Sequence, residues 1–353
     1  VPEIRPFQPD DLPGAAPLVR SISPDWELED DVEGFLKQTI LDDPWRDDEL
    51  PSLVATGDSG EILGFIGSQV RRFRFGERQL RGVCPSHLVV VQDGRAGAAG
   101  ALLARKLLNA GQDFSFSDTA SDEVVRIWRT FGGHVDAARA CDWLLVLRAG
   151  RWLGGVAGRG LRRRSVGRDQ IPVGALPLHA APGVARKRWP DLDPQVRGED
   201  AGTEAIVASL PDTTRGLSIH PDYDIAFLDH VLAGVEAMLG APRLRLVRRG
   251  ERAIGWYTYL LDGHGPARVL QVGAAEVEAE AVVGEMVEHV KAQGAVLITG
   301  RLEPHLVAPL RRRLAVVGFA RQPTIHSRDA ELLGVLQTPT SLLTRLDSEW
   351  FAN

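Results

Sequence analysis

A chain of 353 residues is long for one domain and comfortable for two. Its 44% hydrophobic and 25% charged content excludes a disordered chain, and its apolar runs, such as 88–91 and 295–298, are of strand length, too short to span a membrane. A net charge of −6 leaves no global basic field to draw it onto nucleic acid, and two cysteines, Cys84 and Cys141, lie at no metal-ligand spacing. The first residues lack the basic-then-apolar plan of a signal peptide, so a cytoplasmic location is expected. Arginine far outnumbers lysine beside abundant Ala and Gly, which points to a GC-rich, bacterial-type genome.

In chain order, 4–7 reads as a short strand, and the acidic and proline residues at 9–13 suit a helix start. Val32, Phe35, Leu36 and Ile40 share helical spacing. Strand signals follow at 53–56, 62–70, 73–81 and 83–91, joined by glycine-bearing turns. A helix is predicted over 98–110, a strand at 114–117, a helix opened by Ser121 and ended by Gly132-Gly133, and a strand at 143–147. Seven arginines and no acidic residue occupy 148–168, and Pro and Gly stay frequent to about 202, so 149–202 reads as a linker. The elements then recur: a helix at 224–239, a hairpin at 244–247 and 253–261, a strand at 269–272, a helix at 277–293, a strand at 295–299, a helix at 304–315 and a strand at 342–346. A repeat of this length means a duplicated domain. The expected fold is α/β (α+β), two domains at 1–148 and 203–353, each a mixed, mostly antiparallel sheet flanked by helices.

The segment from His87 to Leu103 carries the most chemistry. A buried strand feeds a loop of small residues, Gly94, Ala96, Gly97, Ala98, Ala99 and Gly100, which opens a helix. Amides at such a helix start point outward unpaired, and the helix dipole favours an anion such as a pyrophosphate, with Arg95 beside it. The alternative is a close-packed turn whose glycines serve geometry alone. A Rossmann site fits less well, because the segment follows hairpins instead of opening a βαβ unit.

Strand, small-residue loop and helix, placed after three antiparallel strands, resemble the acyl-CoA motif of the GCN5-related N-acetyltransferase (GNAT) superfamily. Gly97 falls at the motif's first glycine and Ala99 at its last small residue, while Gly94 stands where Arg or Gln is usual and Arg95 follows it. The stretch from Ser117 through the helix to Phe131-Gly-Gly is similar to the family's second conserved segment, with Trp128 in the place of the usual tyrosine. The resemblance implies an acetyl-CoA or other acyl-CoA cofactor. It would lie along the backbone of Val89 and Val91, with Arg95, Ala96, Gly97, Ala98, Ala99 and Gly100 around its phosphates. An amine would then attack the thioester directly.

Two residues are candidate bases. His87, two residues before Val89, is expected to share its strand face, and Asp118 follows the next strand; each reads equally as structural. Trp128 is core or substrate wall. Cys84 reads as a packed thiol, since no His/Asp arrangement supports a nucleophile. The alternation in 256–259 puts Trp256 and Thr258 on one face and Tyr257 and Tyr259 on the other, either of which would be core or cleft lining. The loop of the second copy holds one glycine and Glu276, Glu278 and Glu280, so that copy is expected not to bind acyl-CoA. Arg162–Arg164 and Arg311–Arg313 read as solvated surface, the first also as a site for an anion.

The resemblance implies an N-acyltransferase, acetyl by default, acting on an amine of a small metabolite or amino sugar. Mycothiol-synthase-like enzymes, FemABX-like aminoacyl transferases and a pseudo-acetyltransferase without turnover are the alternatives. The expected partner is a small-molecule amine, with a homodimer left open; no nucleic acid, membrane span or metal is expected.

Overall fold

The chain was analysed as a computed structural model, which describes residues 2–22, 31–92, 96–148, 189–261, 263, 265–320 and 322–349. The first half runs β1 (Glu3–Pro6), α1 (Leu12–Ile22), α2 (Val32–Leu36), β2 (Leu53–Thr56), β3 (Ile62–Phe75), β4 (Arg78–Val90), α3 (Ala99–Leu108), β5 (Phe114–Ser117), α4 (Asp122–Thr130), β6 (His134–Val135) and β7 (Cys141–Val146). The second half runs β8 (Val196–Asp200), α5 (Thr203–Thr213), β9 (Ile219–Pro221), α6 (Ile225–Leu239), β10 (Arg243–Arg249), β11 (Arg252–Leu261), β12 (Pro266–Ala274), α7 (Ala279–Ala292), β13 (Leu297–Arg301), α8 (Val307–Arg312), β14 (Val316–Phe319), β15 (Thr324–His326) and α9 (Ala330–Leu336).

Local rules explain most of these elements. The long β3–β4 hairpin turns at Gly76, whose φ of 58° is a left-handed conformation that costs glycine no Cβ clash. Helix α3 buries Ala99, Leu103, Ala104, Leu107 and Leu108, and α7 buries Val282, Val283, Met286, Val287 and Val290, each an apolar stripe at helical spacing. Ser121 and Asp224 cap α4 and α6 by accepting from Val124 and Phe227 amides.

Strand order in the first sheet is β1-β2-β3-β4-β5-β15-β6, with β9 added beside β3; in the second it is β14-β7-β13-β12-β11-β10-β8. Read from opposite ends, the two orders match strand for strand, and in each only the fourth and fifth strands from the N-terminal edge, β4–β5 and β12–β13, pair in parallel. One strand is exchanged in each direction. β7, from the first half, lies between β13 and β14 of the second sheet. β15, from the second half, lies between β5 and β6 of the first. The strand expected at the end of the first half therefore exists but completes the other sheet.

The halves share one core as well. Phe7, Phe35, Ile40, Trp45, Phe65 and Val89 of the first pack with Ile206, Phe227, Val231, Leu246, Trp256 and Leu346 of the second. Trp45 stacks on Phe227 with ring centroids 3.7 Å apart, and its Nε1 donates to Asp224 at 2.8 Å. The linker reading at 149–202 falls mostly outside the described residues; its end, 196–200, is the edge strand β8, which carries one buried apolar residue, Val196.

Residues 342–346 do not form the expected strand. They belong to a buried chain of turns in which Thr344 and Asp347 bond to each other: the Thr344 amide and hydroxyl both donate to the Asp347 carboxylate, and the Asp347 amide donates back to the Thr344 carbonyl. Local side-chain bonds of this kind compete with a strand ladder. Among the described residues no helix is long and apolar enough to cross a membrane, and no group of His, Cys, Asp and Glu is arranged to hold a metal ion.

Candidate functional site

Strands β4 and β5 pair only at Gly82–Phe114 and Val83–Ser115 and then part. On the other side β4 stays paired with β3 except at a bulge: Val89 faces Phe65 and Ser86 faces Gly67, so Ile66 opposes both His87 and Leu88. His87 takes the bulge's left-handed position with φ 54°, a conformation uncommon for a side chain with a Cβ. Its ring packs edge-on against Phe35, centroids 5.4 Å apart, and burial pushes its pKa down to about 4. Phe35 and Val89 belong to the same core, so His87 and Val89 do face one layer, although the bulge intervenes.

Past the end of β4, Ala96 and Ala99 are buried, and Gly97 and Ala98 are exposed. Gly97 has φ 50°, and a Cβ built there meets nothing within 4 Å among the described residues. The Ala98 N-cap has no side chain to offer the first-turn amides of α3. Gly94 and Arg95 lie outside the described residues.

The floor of the gap is polar and comes from distant parts of the chain. Ser117 Oγ donates to Glu349 Oε1 at 2.6 Å, and the Asp118 amide donates to Glu349 Oε2 at 2.8 Å. Asp118 itself pairs with Arg301 and accepts from Ser348. Burial, and then the neighbouring Asp118 charge, push the Glu349 carboxyl up to about 7. The tail that carries Glu349 is anchored on both halves. Arg71 Nε donates to the Asp347 carbonyl at 3.0 Å while its Nη1 pairs with Asp43 at 2.8 Å, and Arg301 donates to the Leu343 carbonyl. The Tyr223 hydroxyl lies 2.6 Å from Asp347 and 2.8 Å from Gln271.

Of the side chains singled out from the sequence, the structure brings Asp118 to this gap and puts His87 at its β4 wall. Trp128 is 2% exposed on the buried face of α4, and a Cβ at Gly133 would sit 3.0 Å from it. Cys84 is fully buried on β4, and burial raises its thiol pKa well above the usual range. Tyr257 and Tyr259 lie elsewhere, beneath α7 on the far face of the second sheet. Tyr257 donates to Glu285 at 2.7 Å, and Tyr259 meets His289 Nε2 at 2.9 Å. The opposite face of that strand, with Trp256, is the one turned toward the first half. A cavity of about 370 Å³ opens beside the first sheet, lined by Phe7, Ile40, Leu41, Arg46, Asp48 and Ser68. Ile40 also packs at Gly67, next to Ser86.

The second copy repeats the geometry and closes it. β12 and β13 pair from Pro266–Leu297 to Arg268–Thr299 and then part, and β12 bulges at Leu270. There the His305 ring fills the space: its Nε2 lies 3.1 Å from the Val272 carbonyl, and burial pushes its pKa down to about 4, so it stays neutral and donates that bond. Two of the three glutamates at the helix start are tied down, and Glu276 is exposed. Glu278 bridges Arg249, at 2.6 Å, and Arg252, while Glu280 bridges Arg312 at 3.0 Å and Arg313 at 2.6 Å.

Glu303, buried beside Arg301 in this interior, makes a stability prediction. Burial raises its carboxyl from 4.5 to about 8. Folding therefore takes up a proton between those values, and stability falls as pH rises through the folded value. Buried His87 and His305 act with opposite sign, but only below pH 6.5, where unfolded histidines begin to protonate. From pH 6.5 to 8 the expected loss is about 2 kcal/mol. Thermal melting should show a slope in the wild type that is clearly smaller in Glu303→Gln, where the raised Glu349 carboxyl leaves a remainder up to about pH 7; equal slopes in both would contradict the assignment.

No family model matches the chain, and no curated protein matches it. Solved structures do. One is a protein from Enterococcus faecalis V583 described as a "Probable N-Acyltransferase" (10% identity, 93% of this chain and 73% of that one, TM-score 0.60). A GCN5-related N-acetyltransferase from Anabaena variabilis ATCC 29413 matches at 11% identity over 93% of this chain and 73% of its own, TM-score 0.60. Another from Kribbella flavida matches at 14% identity over 94% and 72%, TM-score 0.52. At such identities the likeness establishes the fold: the chain carries two GNAT-like domains.

Proposed function

We propose that the chain is an acyl-CoA-dependent N-acyltransferase, acetyl by default, whose cofactor binds the first copy alone and whose acceptor is an amine of a small metabolite or amino sugar. The observation that carries this reading is the contrast between two equivalent gaps. The one beside β4 leads to open space at Gly97, whereas the one beside β12 is bridged by His305 and flanked by paired glutamates. The fold likeness supports the reaction class.

The residues present fit such a cofactor. The Val91 amide donates to the Leu63 carbonyl of β3 at 2.9 Å. On the parted stretch of β4 the main chain of Leu88 and Val90, not of Val89 and Val91, would therefore take the pantetheine arm, and the amides of Ala96, Gly97 and Ala98 would hold the pyrophosphate. When bound, acetyl-CoA supplies an activated carbonyl. The bulge at His87 and Leu88 breaks the regular β3–β4 register there, which turns main-chain groups toward the gap where they can polarise that carbonyl.

Release of free thiol from acetyl-CoA over a panel of small amines and amino sugars tests the reading. Amine-dependent release is expected with at least one acceptor. Acetyl-CoA that binds without release across the whole panel would leave a binding protein without turnover.

A further inference from the structure

We propose that Glu349, delivered by the C-terminal tail of the second half, is the group that takes the proton from the attacking amine in the gap of the first half. The inference rests on the reading above, that this gap holds the acyl-CoA. Three observations place Glu349 there. Its carboxylate lies at the end of β5, on Ser117 Oγ and the Asp118 amide, two and three residues beyond the last β4–β5 pair. In a parallel pair that is the level of Pro85 and Ser86, directly before the bulge at His87 and Leu88. Ser86 is 3% exposed, and its Oγ, beside Gly67 of β3, has no hydrogen-bond partner among the described residues, so a polar group of β4 at the same level remains to be satisfied.

The alternatives at the gap are less suited. Asp118 has Arg301 on one carboxylate oxygen and Ser348 on the other. The His87 ring is packed on Phe35 and accepts a proton only near pH 4. Beyond its bonds from the Ser117 hydroxyl, the Asp118 amide and its own amide, the Glu349 carboxylate has a lone pair left to accept a proton. The ionisable groups around it are Asp118 and Arg301, with Cys84, Arg71 and Asp347 farther along the same interior. Burial and the Asp118 charge make it a stronger base than an exposed carboxylate, and its acidity is matched to neutral pH. A preformed anchor explains why so much of the tail is buried: residues 343–349 are all at most 6% exposed.

In the step itself the amine nitrogen forms a bond to the thioester carbonyl carbon. The carbon–sulfur bond breaks, and its electron pair leaves with sulfur as the thiolate. The proton released from nitrogen passes to the Glu349 carboxylate and from there to solvent, and the thiolate is protonated by solvent.

The test compares wild type, Glu349→Gln and Ser117→Ala in the full chain, measuring acetyl-CoA affinity by titration and turnover across pH. Glu349→Gln is expected to lower kcat about 10²- to 10⁴-fold, keep acetyl-CoA affinity within about threefold, and remove the limb of the rate profile near pH 7. Ser117→Ala removes one bond to the ionised carboxylate and should move that limb to higher pH. It serves also if the glutamine variant does not fold. Turnover within threefold of wild type in Glu349→Gln, or a limb that neither substitution moves, overturns this proposal and leaves the cofactor reading standing. A wild-type chain that does not bind acetyl-CoA overturns both.

Discussion

Fragments 1–148 and 189–353 expressed apart are expected to be insoluble or unfolded, and expressed together to co-purify as a one-to-one pair. The strand exchange dictates it. Alone, the first fragment presents β7 with no sheet to join and lacks β15 between β5 and β6. It also loses Ile325, Leu332, Leu336 and Leu343 from the core around Phe73, Phe114 and Phe116. The second fragment loses Trp143 and Leu145, which are 0% and 2% exposed in the intact chain. At about 1.5–3 kcal/mol for each buried side chain, the first loss alone is about 6 kcal/mol or more, comparable to the whole stability of a domain. An unpaired charge adds to it, since buried Arg301 would lose Asp118, and Arg71 would lose the Asp347 carbonyl. Two soluble monomers that unfold cooperatively and show no mutual affinity would contradict this account.

Much of the architecture is written locally. Periodicity places α3, α6 and α7, turn residues place the β10–β11 hairpin, and the repeated order of elements reveals the duplication. The strand expected at 73–81 instead reverses at Gly76, because the two-residue turn there sits inside an otherwise strand-like run. What local pattern cannot carry is partner choice. The residues of β7 read as a strand, but nothing in Trp143 to Val146 says that its neighbours lie more than 150 residues away. β8, β9, β14 and β15 are short edge or inserted strands with three to five residues, too few for an alternation to register. The face of Trp256 to Tyr259 was ambiguous for a different reason: both faces are buried, one in the shared core and one beneath α7, so hydrophobicity does not distinguish them.

The site divides in the same way. The loop at Gly97 and its degenerate counterpart at Glu278 are legible, because small residues and acidic residues at a helix start have direct steric and electrostatic meaning. His305 as the plug of the second gap and Glu349 as the floor of the first are not. Each acts through a contact set by the parting of two strands, and Glu349 reaches Ser117 across 232 positions. The leucines of the tail around it, Leu342, Leu343 and Leu346, suggest a strand, whereas the Thr344–Asp347 bonds make turns and only tertiary contacts bring Glu349 to Ser117.

Calorimetric titration with acetyl-CoA tests the central claim, a single cofactor site in the first copy, most directly. The expected stoichiometry is one per chain. Gly97→Glu sets a carboxylate where the pyrophosphate would lie, and it forces a side chain onto a residue with φ 50°. Affinity should fall by at least about 100-fold, the equivalent of about 3 kcal/mol. Glu278→Gln, at the equivalent helix start of the second copy, should leave affinity within a few-fold. Two equivalent sites per chain, or one site that survives Gly97→Glu, would contradict the account.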